Sequence, residues 1–162
     1  MIEPFRGWWY ARRAAPAPVR DALSQELRER LYEDPHQAIH VAFPRDPHQA
    51  REKWQEWVRS RVVVREPVPA FYAYSQTFHR AGEEHGPFIR MGLIGILPVE
   101  APVQPHEKTL KIRESEIVAA LHVLPVQATP VHILADTNWE AVYPVLREAL
   151  VCPRGSAAGW DG

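Results

Sequence analysis

The sequence has one cysteine, Cys152, and no apolar run long enough to cross a membrane. A lone thiol excludes an intramolecular disulfide and a cysteine-based zinc cage. The N-terminal stretch MIEPFRGWWYARR carries charges within its apolar part, unlike a signal peptide, and nowhere do ~18 apolar residues follow one another. We therefore expect a cytoplasmic protein that makes no membrane contact.

An excess of charge of one sign is also missing. Nineteen Lys and Arg residues face 20 Asp and Glu residues, for a formal net charge of -1. Nucleic-acid-binding domains carry a basic face or stripe, so this balance disfavours nucleic acid as a partner. Aromatic residues in GWWY and FYAY could stack on a flat ligand, but aromatics in strands more often belong to the core. Trp8 and Trp9 could instead contribute to a homodimer interface, where large aromatics are enriched.

Familiar catalytic motifs are absent as well. There is no Gly-rich phosphate loop, no G-x-S-x-G elbow and no HExxH. His36 and His40 would face one metal if a helix joined them, but Pro35 and the strand-like AIHVAF argue against such a helix. The sequence predicts no metal site and identifies no cofactor.

The 162 residues fit one domain, which we place at residues 1–150, followed by a flexible tail at 151–162. In RDALSQELRERLYED the spacing of Leu23, Leu27 and Leu31 predicts an amphipathic helix. AIHVAF reads as a short strand. In RDPHQAREKWQEWVRS, Asp46 suits an N-cap and Pro47 the first helical position, and RVVVRE follows as another short strand.

A hairpin at about residues 70–98 is the strongest β signal, because AFYAYSQTFH and IRMGLIGILPV are long runs of aromatic and branched residues joined by a Gly-containing loop. Gly92 and Gly95 in the second run have two interpretations. One is close backbone approach to a ligand or neighbouring strand, and the other is a bulge that curves the sheet. The bulge is favoured.

Helical and strand signals alternate after the hairpin. A helical face is formed by Ile117, Ala120, Leu121 and Leu124. VHILAD predicts a buried strand, and TNWE a capping box of Thr137 and Glu140 for a helix that Pro144 must kink or split. Intermingled helices and strands with an antiparallel pair predict an α+β fold, with a mixed or antiparallel sheet and helices packed against it.

The polar segment PHEKT between hairpin and helix is the best candidate for chemistry. His106 could act as a general acid or base and Glu107 as a second base or metal ligand. Lys108 could clamp an anion, and Thr109 could donate a hydroxyl. The alternative is a polar turn in which Thr109 or Ser115 caps the next helix and His106 bonds a backbone carbonyl.

Several segments, in order, resemble the domain of unknown function 1015 family. The matching stretches are EPFRGWW, PHQAIHVAFPR, AREKWQEWVRSRVVVRE, PAFYAYSQTF, RMGLIGILPV, PHEKTLKIRESEI and VLPVQATPVHILAD. The resemblance puts family positions at Tyr74, Gln76, Arg90, Gly92, His106, Glu107 and Thr109. AAPAPVRDAL lacks the family's Tyr-Asp, Glu116 stands near the position of its Asp, and Ile117 occupies the position of its Arg. If the missing groups complete a site, this copy would bind without catalysing or would use a partner chain.

The resemblance implies no established activity, and whether the protein is an enzyme stays open. Our first hypothesis is a small-molecule-binding enzyme that handles a phosphorylated metabolite or a nucleotide. His106 or Glu107 would deprotonate a hydroxyl, Gln76 and Thr109 would bind ligand, and Lys108 and Arg90 would stabilise phosphate charge. The alternative is a non-catalytic, dimeric interaction or structural module.

Overall fold

The structure is a computed structural model and describes residues 2–11, 16–17, 23–80, 82, 85–105, 108–136 and 138–151. The chain divides into two compact units, each assembled from segments that are distant in sequence. The first unit comprises Met1–Trp9, Arg65–Pro102 and Ile133–Gly162, and the second comprises Tyr10–Val64 and Val103–His132. The predicted single domain over residues 1–150 stays a prediction.

Two short strands, β1 (Trp8–Tyr10) and β2 (Val63–Arg65), form a two-stranded sheet. The Ala11 amide donates to the Val62 carbonyl at 2.9 Å, and the Glu66 amide donates to the Gly7 carbonyl at 2.8 Å. Since the later residue of one strand pairs with the earlier residue of the other, the strands run antiparallel. The predicted strand in RVVVRE is confirmed.

Helices α1 (Gln25–Glu33) and α3 (Pro47–Arg59) begin at the capping residues that the sequence offers. Ser24 Oγ accepts a hydrogen bond from the Leu27 amide at 3.1 Å, and Asp46 Oδ1 accepts one from the His48 amide at 3.0 Å. Pro47 occupies the start of α3, where its missing N–H costs nothing. Both predicted helices are confirmed, and their apolar faces supply Leu31, Ala50, Trp54 and Trp57 to the core.

AIHVAF is not a strand but contains a single helical turn, α2 (Ile39–Ala42). The Ala42 and Phe43 amides donate to the carbonyls of residues 38 and 39, at 2.8 and 3.1 Å. Ile39 and Val41 are both buried because α2 packs against α1 on one side and α3 on another. Burial on two sides of a helix mimics the alternation of a strand, which is why the prediction was wrong.

Strands β3 (Tyr72–Phe78) and β4 (Phe88–Ile94) form the predicted antiparallel hairpin. Their register is uninterrupted from Tyr72 opposite Ile94 to Phe78 opposite Phe88, so the favoured bulge is wrong at Gly92, while Gly95 lies just beyond β4. A Cβ on Gly92 would lie 2.7 Å from Tyr74 Oη, and one on Gly95 would lie 3.1 Å from the Glu3 carbonyl oxygen. These two glycines therefore allow neighbouring segments of the same protein to approach the strand closely.

Two further helices, α4 (Lys111–Val123) and α5 (Trp139–Val151), occur where the sequence predicts them. Helix α5 packs against both hairpin strands and buries Leu146. It runs on through Pro144, so of the two predicted alternatives the split is wrong and the kink stays a prediction. The proposed cap Thr137 and the tail at 152–162 lie outside the described residues.

VHILAD forms no strand, contrary to the prediction, and its side chains are exposed, Leu134 to 89%. A strand is stabilised by a pairing partner, and the described residues provide none for this segment. With five helices and two antiparallel strand pairs among the described residues, the fold class is α+β, as predicted. None of the described helices combines the length and apolar character needed to span a bilayer.

Candidate anion-binding face of the hairpin

One face of the hairpin gathers the side chains of alternate residues from both strands. Successive residues of a strand point to opposite faces, so Gln76 shares its face with Tyr74 and Phe78. The register places residues 92, 90 and 88 opposite these three, in that order. We call this set the hairpin face: Tyr74, Gln76, Phe78, Phe88, Arg90 and Gly92. The structure thus brings two predicted ligand-binding residues, Gln76 and Arg90, together as direct cross-strand partners.

Gly92 fixes the position of the Tyr74 ring. A Cβ built on Gly92 would fall within 2.7 Å of both Cζ and Oη of Tyr74, so only a glycine lets the ring lie across the opposite strand. The ring is half-buried in that position. It forms one boundary of the space beside Gln76 and Arg90, which explains physically why a tyrosine and a glycine occur here together.

Two arginines and two phenylalanines form a stack at the loop end of the hairpin. The Phe78 and Phe88 ring centroids are 5.9 Å apart at an interplanar angle of 31°. Arg90 Cζ lies 5.2 Å from the Phe78 centroid, and Arg80 Cζ lies 4.4 Å from the Phe88 centroid. We call Arg80, Phe88, Phe78 and Arg90 the Arg–Phe stack. Each guanidinium is attracted to the π face of its ring, an interaction worth about 0.5–1 kcal/mol at exposed sites.

Arg90 and Gln76 offer hydrogen-bonding groups that other side chains do not use. Both are exposed, and the described part of the chain provides neither a carboxylate for Arg90 nor a hydrogen-bond partner for the Gln76 amide. A guanidinium presents five N–H donors in a planar fork that matches a carboxylate or phosphate. The Gln76 amide adds donors and an acceptor. The pair is therefore suited to an oxyanion.

Lys108 and Thr109 lie in the other unit, in an irregular exposed segment before α4. Helix α4 has Leu110 at its N-cap, with no capping side chain among the described residues. Ser115 Oγ donates to the Lys111 carbonyl at 3.0 Å instead. The capping by Thr109 or Ser115 is thus wrong, whereas the rest of that alternative, a polar turn in which His106 bonds a backbone carbonyl, stays a prediction. His106 and Glu107 lie outside the described residues, and their roles stay predictions.

A comparison with family models places the chain. The model described as "Protein of unknown function (DUF1015)" matches residues 2–154. The chain belongs to the DUF1015 family. No curated protein and no solved structure matches it significantly. The DUF1015 match spans the hairpin, the PHEKT segment and α4, and it attaches no activity to them, so the chemistry has to be argued from the geometry.

Sequence reasoning missed three of the four residues of the Arg–Phe stack in this DUF1015 chain. The sequence places Phe78 in the first predicted strand, and Arg80 and Phe88 at the two ends of the predicted loop. Their relation follows only from the register, which sets the two phenylalanines opposite each other. The signal is the repeated pattern of a phenylalanine and an arginine two positions apart, Phe78 with Arg80 and Phe88 with Arg90, at the end of each strand that joins the loop.

A second polar cluster of the same unit is structural. Glu66 is only 5% exposed, and its Oε2 accepts a hydrogen bond from Trp9 Nε1 at 3.0 Å. Tyr72 Oη accepts from the Gly7 amide at 2.7 Å and donates to the Phe5 carbonyl at 2.9 Å. These bonds tie the N-terminal segment to the base of the hairpin. Trp9 is thus engaged within its own unit, and an interface built on it stays a prediction.

No metal centre is formed by the described residues, since they bring together no group of three or more His, Cys, Asp or Glu side chains that could hold an ion. The titratable side chains of the hairpin face are cationic or phenolic. Anion binding by Arg90 and Gln76 is the chemistry that this face can perform with its own groups.

Proposed function

We propose that this DUF1015 protein binds an anionic small molecule, a phosphorylated metabolite or a nucleotide, at the hairpin face. The observation that carries the proposal is the direct pairing of Gln76 with Arg90, whose guanidinium lies over Phe78 and is offered no carboxylate by the described residues. A charge-assisted, bidentate bond from a guanidinium to an oxyanion is among the stronger polar contacts available to a surface site. Contact with the Phe78 ring restricts the Arg90 side chain before ligand arrives, which lowers the entropy lost on binding.

The catalytic part of the proposal comes from the PHEKT segment. This segment belongs to the other unit, so its roles are proposed separately from the hairpin face: His106 or Glu107 would take a proton from a hydroxyl, Lys108 would contribute a point charge to a phosphate, and Thr109 would donate a hydrogen bond. Support for these roles is the resemblance of the segment to the DUF1015 pattern and the failure of the capping interpretation of Thr109. With them, the protein would be an enzyme that acts on a phosphorylated metabolite or a nucleotide.

A thermal-shift screen of the full chain against nucleotides, phosphorylated metabolites, amino acids and divalent ions tests the binding site. A ligand at ~100 times its Kd adds about 2.7 kcal/mol of stability. We expect Arg90→Gln to lose this stabilisation, and Arg51→Gln, a matched change at an exposed arginine on α3, to keep it. If no ligand stabilises the wild type, or if Arg90→Gln responds as the wild type does, the proposal is wrong.

The same screen separates binding from catalysis. We expect His106→Ala to reduce the stabilisation by any ligand that the PHEKT segment binds, while leaving the melting temperature of the free protein nearly unchanged. A normal shift in His106→Ala would contradict the proposed role of His106 and would leave the proposal for the hairpin face unaffected.

A second candidate function, a homodimeric interaction module without catalysis, is supported by α4. Ile117, Val118 and Leu121 form a stripe on this helix, and each remains about half exposed. We call these three residues the α4 stripe. Adjacent exposed apolar side chains mark interaction sites more often than isolated ones do. The oligomeric state of the purified chain in solution tests this candidate.

A further inference from the structure

The hairpin face contains more groups than the binding of an oxyanion requires. Arg90 with Gln76 is sufficient for a phosphate, yet next to it, on the same face, lie the rings of Phe78 and Phe88 and the guanidinium of Arg80. Both rings are only half-buried and both guanidinium groups are exposed. The unit therefore presents an oxyanion site that borders directly on a surface of stacked planar groups.

We infer that the ligand of the hairpin face is a nucleotide, whose phosphate is held by Arg90 and Gln76 and whose base stacks on Arg80 and Phe88. This inference rests on the proposed function and narrows it, because it separates nucleotides from the phosphates of sugars and amino acids.

Stacking geometry supports the assignment of the base to Arg80 and Phe88. Arg80 Cζ lies 4.4 Å from the Phe88 centroid, the closer of the two cation–ring contacts in the stack. Nucleobases stack both on phenyl rings and on guanidinium planes. Stacking needs the plane of the Arg80 side chain and none of its N–H groups, so it is compatible with other bonds that this arginine makes. A sugar phosphate has no planar group and gains nothing from this surface.

The size of the effect follows from known stacking energies. A base stacked on an aromatic side chain contributes about 1–3 kcal/mol, and each 1.4 kcal/mol is a factor of about ten in affinity. We therefore expect AMP to bind roughly 5- to 150-fold more tightly than ribose 5-phosphate, which has the same phosphate and sugar but no base.

Isothermal titration of the full chain with AMP, ribose 5-phosphate and inorganic tripolyphosphate provides the test. Arg80→Lys keeps the charge and removes the plane, and Phe88→Leu keeps the apolar character and removes the ring. We expect each substitution to abolish the preference for AMP and to leave the affinity for ribose 5-phosphate within about twofold of the wild type. Circular dichroism checks that both variants fold, and Arg80→Lys, an exposed substitution, decides the matter if Phe88→Leu does not fold.

Each outcome identifies which idea fails. If ribose 5-phosphate and AMP bind the wild type equally well, or if Arg80→Lys retains the preference, the nucleotide inference is wrong and anion binding stands. If none of the three probes binds, anion binding itself fails, and the inference with it. If a single-stranded oligonucleotide binds in a salt-dependent way while AMP does not, the surface binds nucleic acid and the assignment of a mononucleotide is wrong.

Discussion

At the scale of single residues, the contact between Gly92 and Tyr74 determines the shape of the hairpin face. A Cβ at residue 92 would lie 2.7 Å from Tyr74 Oη and closer still to two carbons of the Tyr74 ring. We expect Gly92→Ala to destabilise the protein by about 1–3 kcal/mol, the usual cost of forcing an extra methyl group into an occupied space. Urea denaturation measures the change. The displaced ring should also weaken ligand binding at Gln76 and Arg90.

A double-mutant cycle isolates this contact. In a Tyr74→Ala background the space above residue 92 is empty, so Gly92→Ala should be neutral or slightly stabilising, because alanine has less chain entropy to lose than glycine. The interaction energy of the pair should then approach the full cost of the single substitution. Equal costs in the two backgrounds would show that the ring does not need the glycine.

Tyr10 links a single residue to the dependence of stability on pH. Burial, and secondarily the negative charge of Asp34, raises the pKa of Tyr10 from 10.0 to about 12. The unfolded chain therefore loses the Tyr10 proton before the folded chain does. Its contribution to stability is complete below pH 10.0 and is lost as the pH rises to about 12. Denaturation measured across this interval should show the fall.

Tyr10→Phe removes the proton and supplies the control. We expect a smaller fall in stability across the same pH interval. Part of the fall should remain, because burial also raises the pKa of Tyr32. Spectrophotometric titration should show one late-ionising phenol fewer in the variant. An unchanged pH profile would contradict the assignment to Tyr10.

At the scale of secondary-structure elements, α5 contains a proline, Pro144, whose replacement should stabilise the helix. Pro144 lies within Trp139–Val151 and is exposed, and it cannot donate a backbone hydrogen bond to the residue 140 carbonyl. We expect Pro144→Ala to stabilise the protein by up to about 3 kcal/mol, the interior penalty of proline in a helix. Thermal unfolding measures the gain.

Pro130→Ala is the matched control, because Pro130 is also exposed but lies in irregular chain. There the substitution frees the unfolded chain without adding a helical bond, so stability should fall slightly or stay unchanged. A gain of similar size at both positions would mean that the helix interior is not the cause.

Elements with local signals were predictable from the sequence, and elements shaped by distant neighbours were not. Asp46 and Pro47 mark the start of α3 within two residues, and the hairpin strands carry long apolar runs of their own. The turn at Ile39 and Val41 resembles a strand only because two other helices cover it. VHILAD has strand composition without a strand partner among the described residues. Likewise Gln76 and Arg90 were predictable one by one, whereas the Arg–Phe stack depends on register.

At the scale of the whole molecule, the two units are interleaved along the chain. The first unit takes its hairpin from the middle of the sequence and α5 from the end, and the second takes α4 from between them. Neither unit is a continuous segment. The DUF1015 match, which runs from residue 2 to 154, accordingly covers segments of both. Function is therefore best tested on the full chain, since no simple truncation keeps all segments of one unit.

The α4 stripe leads to a prediction about assembly. In an antiparallel pair of α4 helices from two copies, the stripes would cover each other, and Lys111 in the first turn would approach the partner's C-terminal turn, where the helix dipole favours a cation. A stripe on one helix buries less than the roughly 1,200 Å² of a standard interface. We therefore expect a dimer that dissociates on dilution, measurable by analytical ultracentrifugation over a range of concentrations.

Charge substitutions on opposite sides of α4 distinguish this dimer from non-specific hydrophobic association. Leu121 lies in the stripe and is 48% exposed, and Ile112 is 71% exposed. Ile112 precedes Leu121 by nine residues, and because a helix rotates about 100° per residue, the two side chains lie on opposite sides of α4. Leu121→Glu would face its own copy across the two-fold axis and should abolish the dimer, whereas Ile112→Glu should leave it intact. Equal effects of both substitutions would show that α4 does not pair through the stripe. A monomer at every concentration would remove the homodimeric module and leave ligand binding at the hairpin face as the function to pursue.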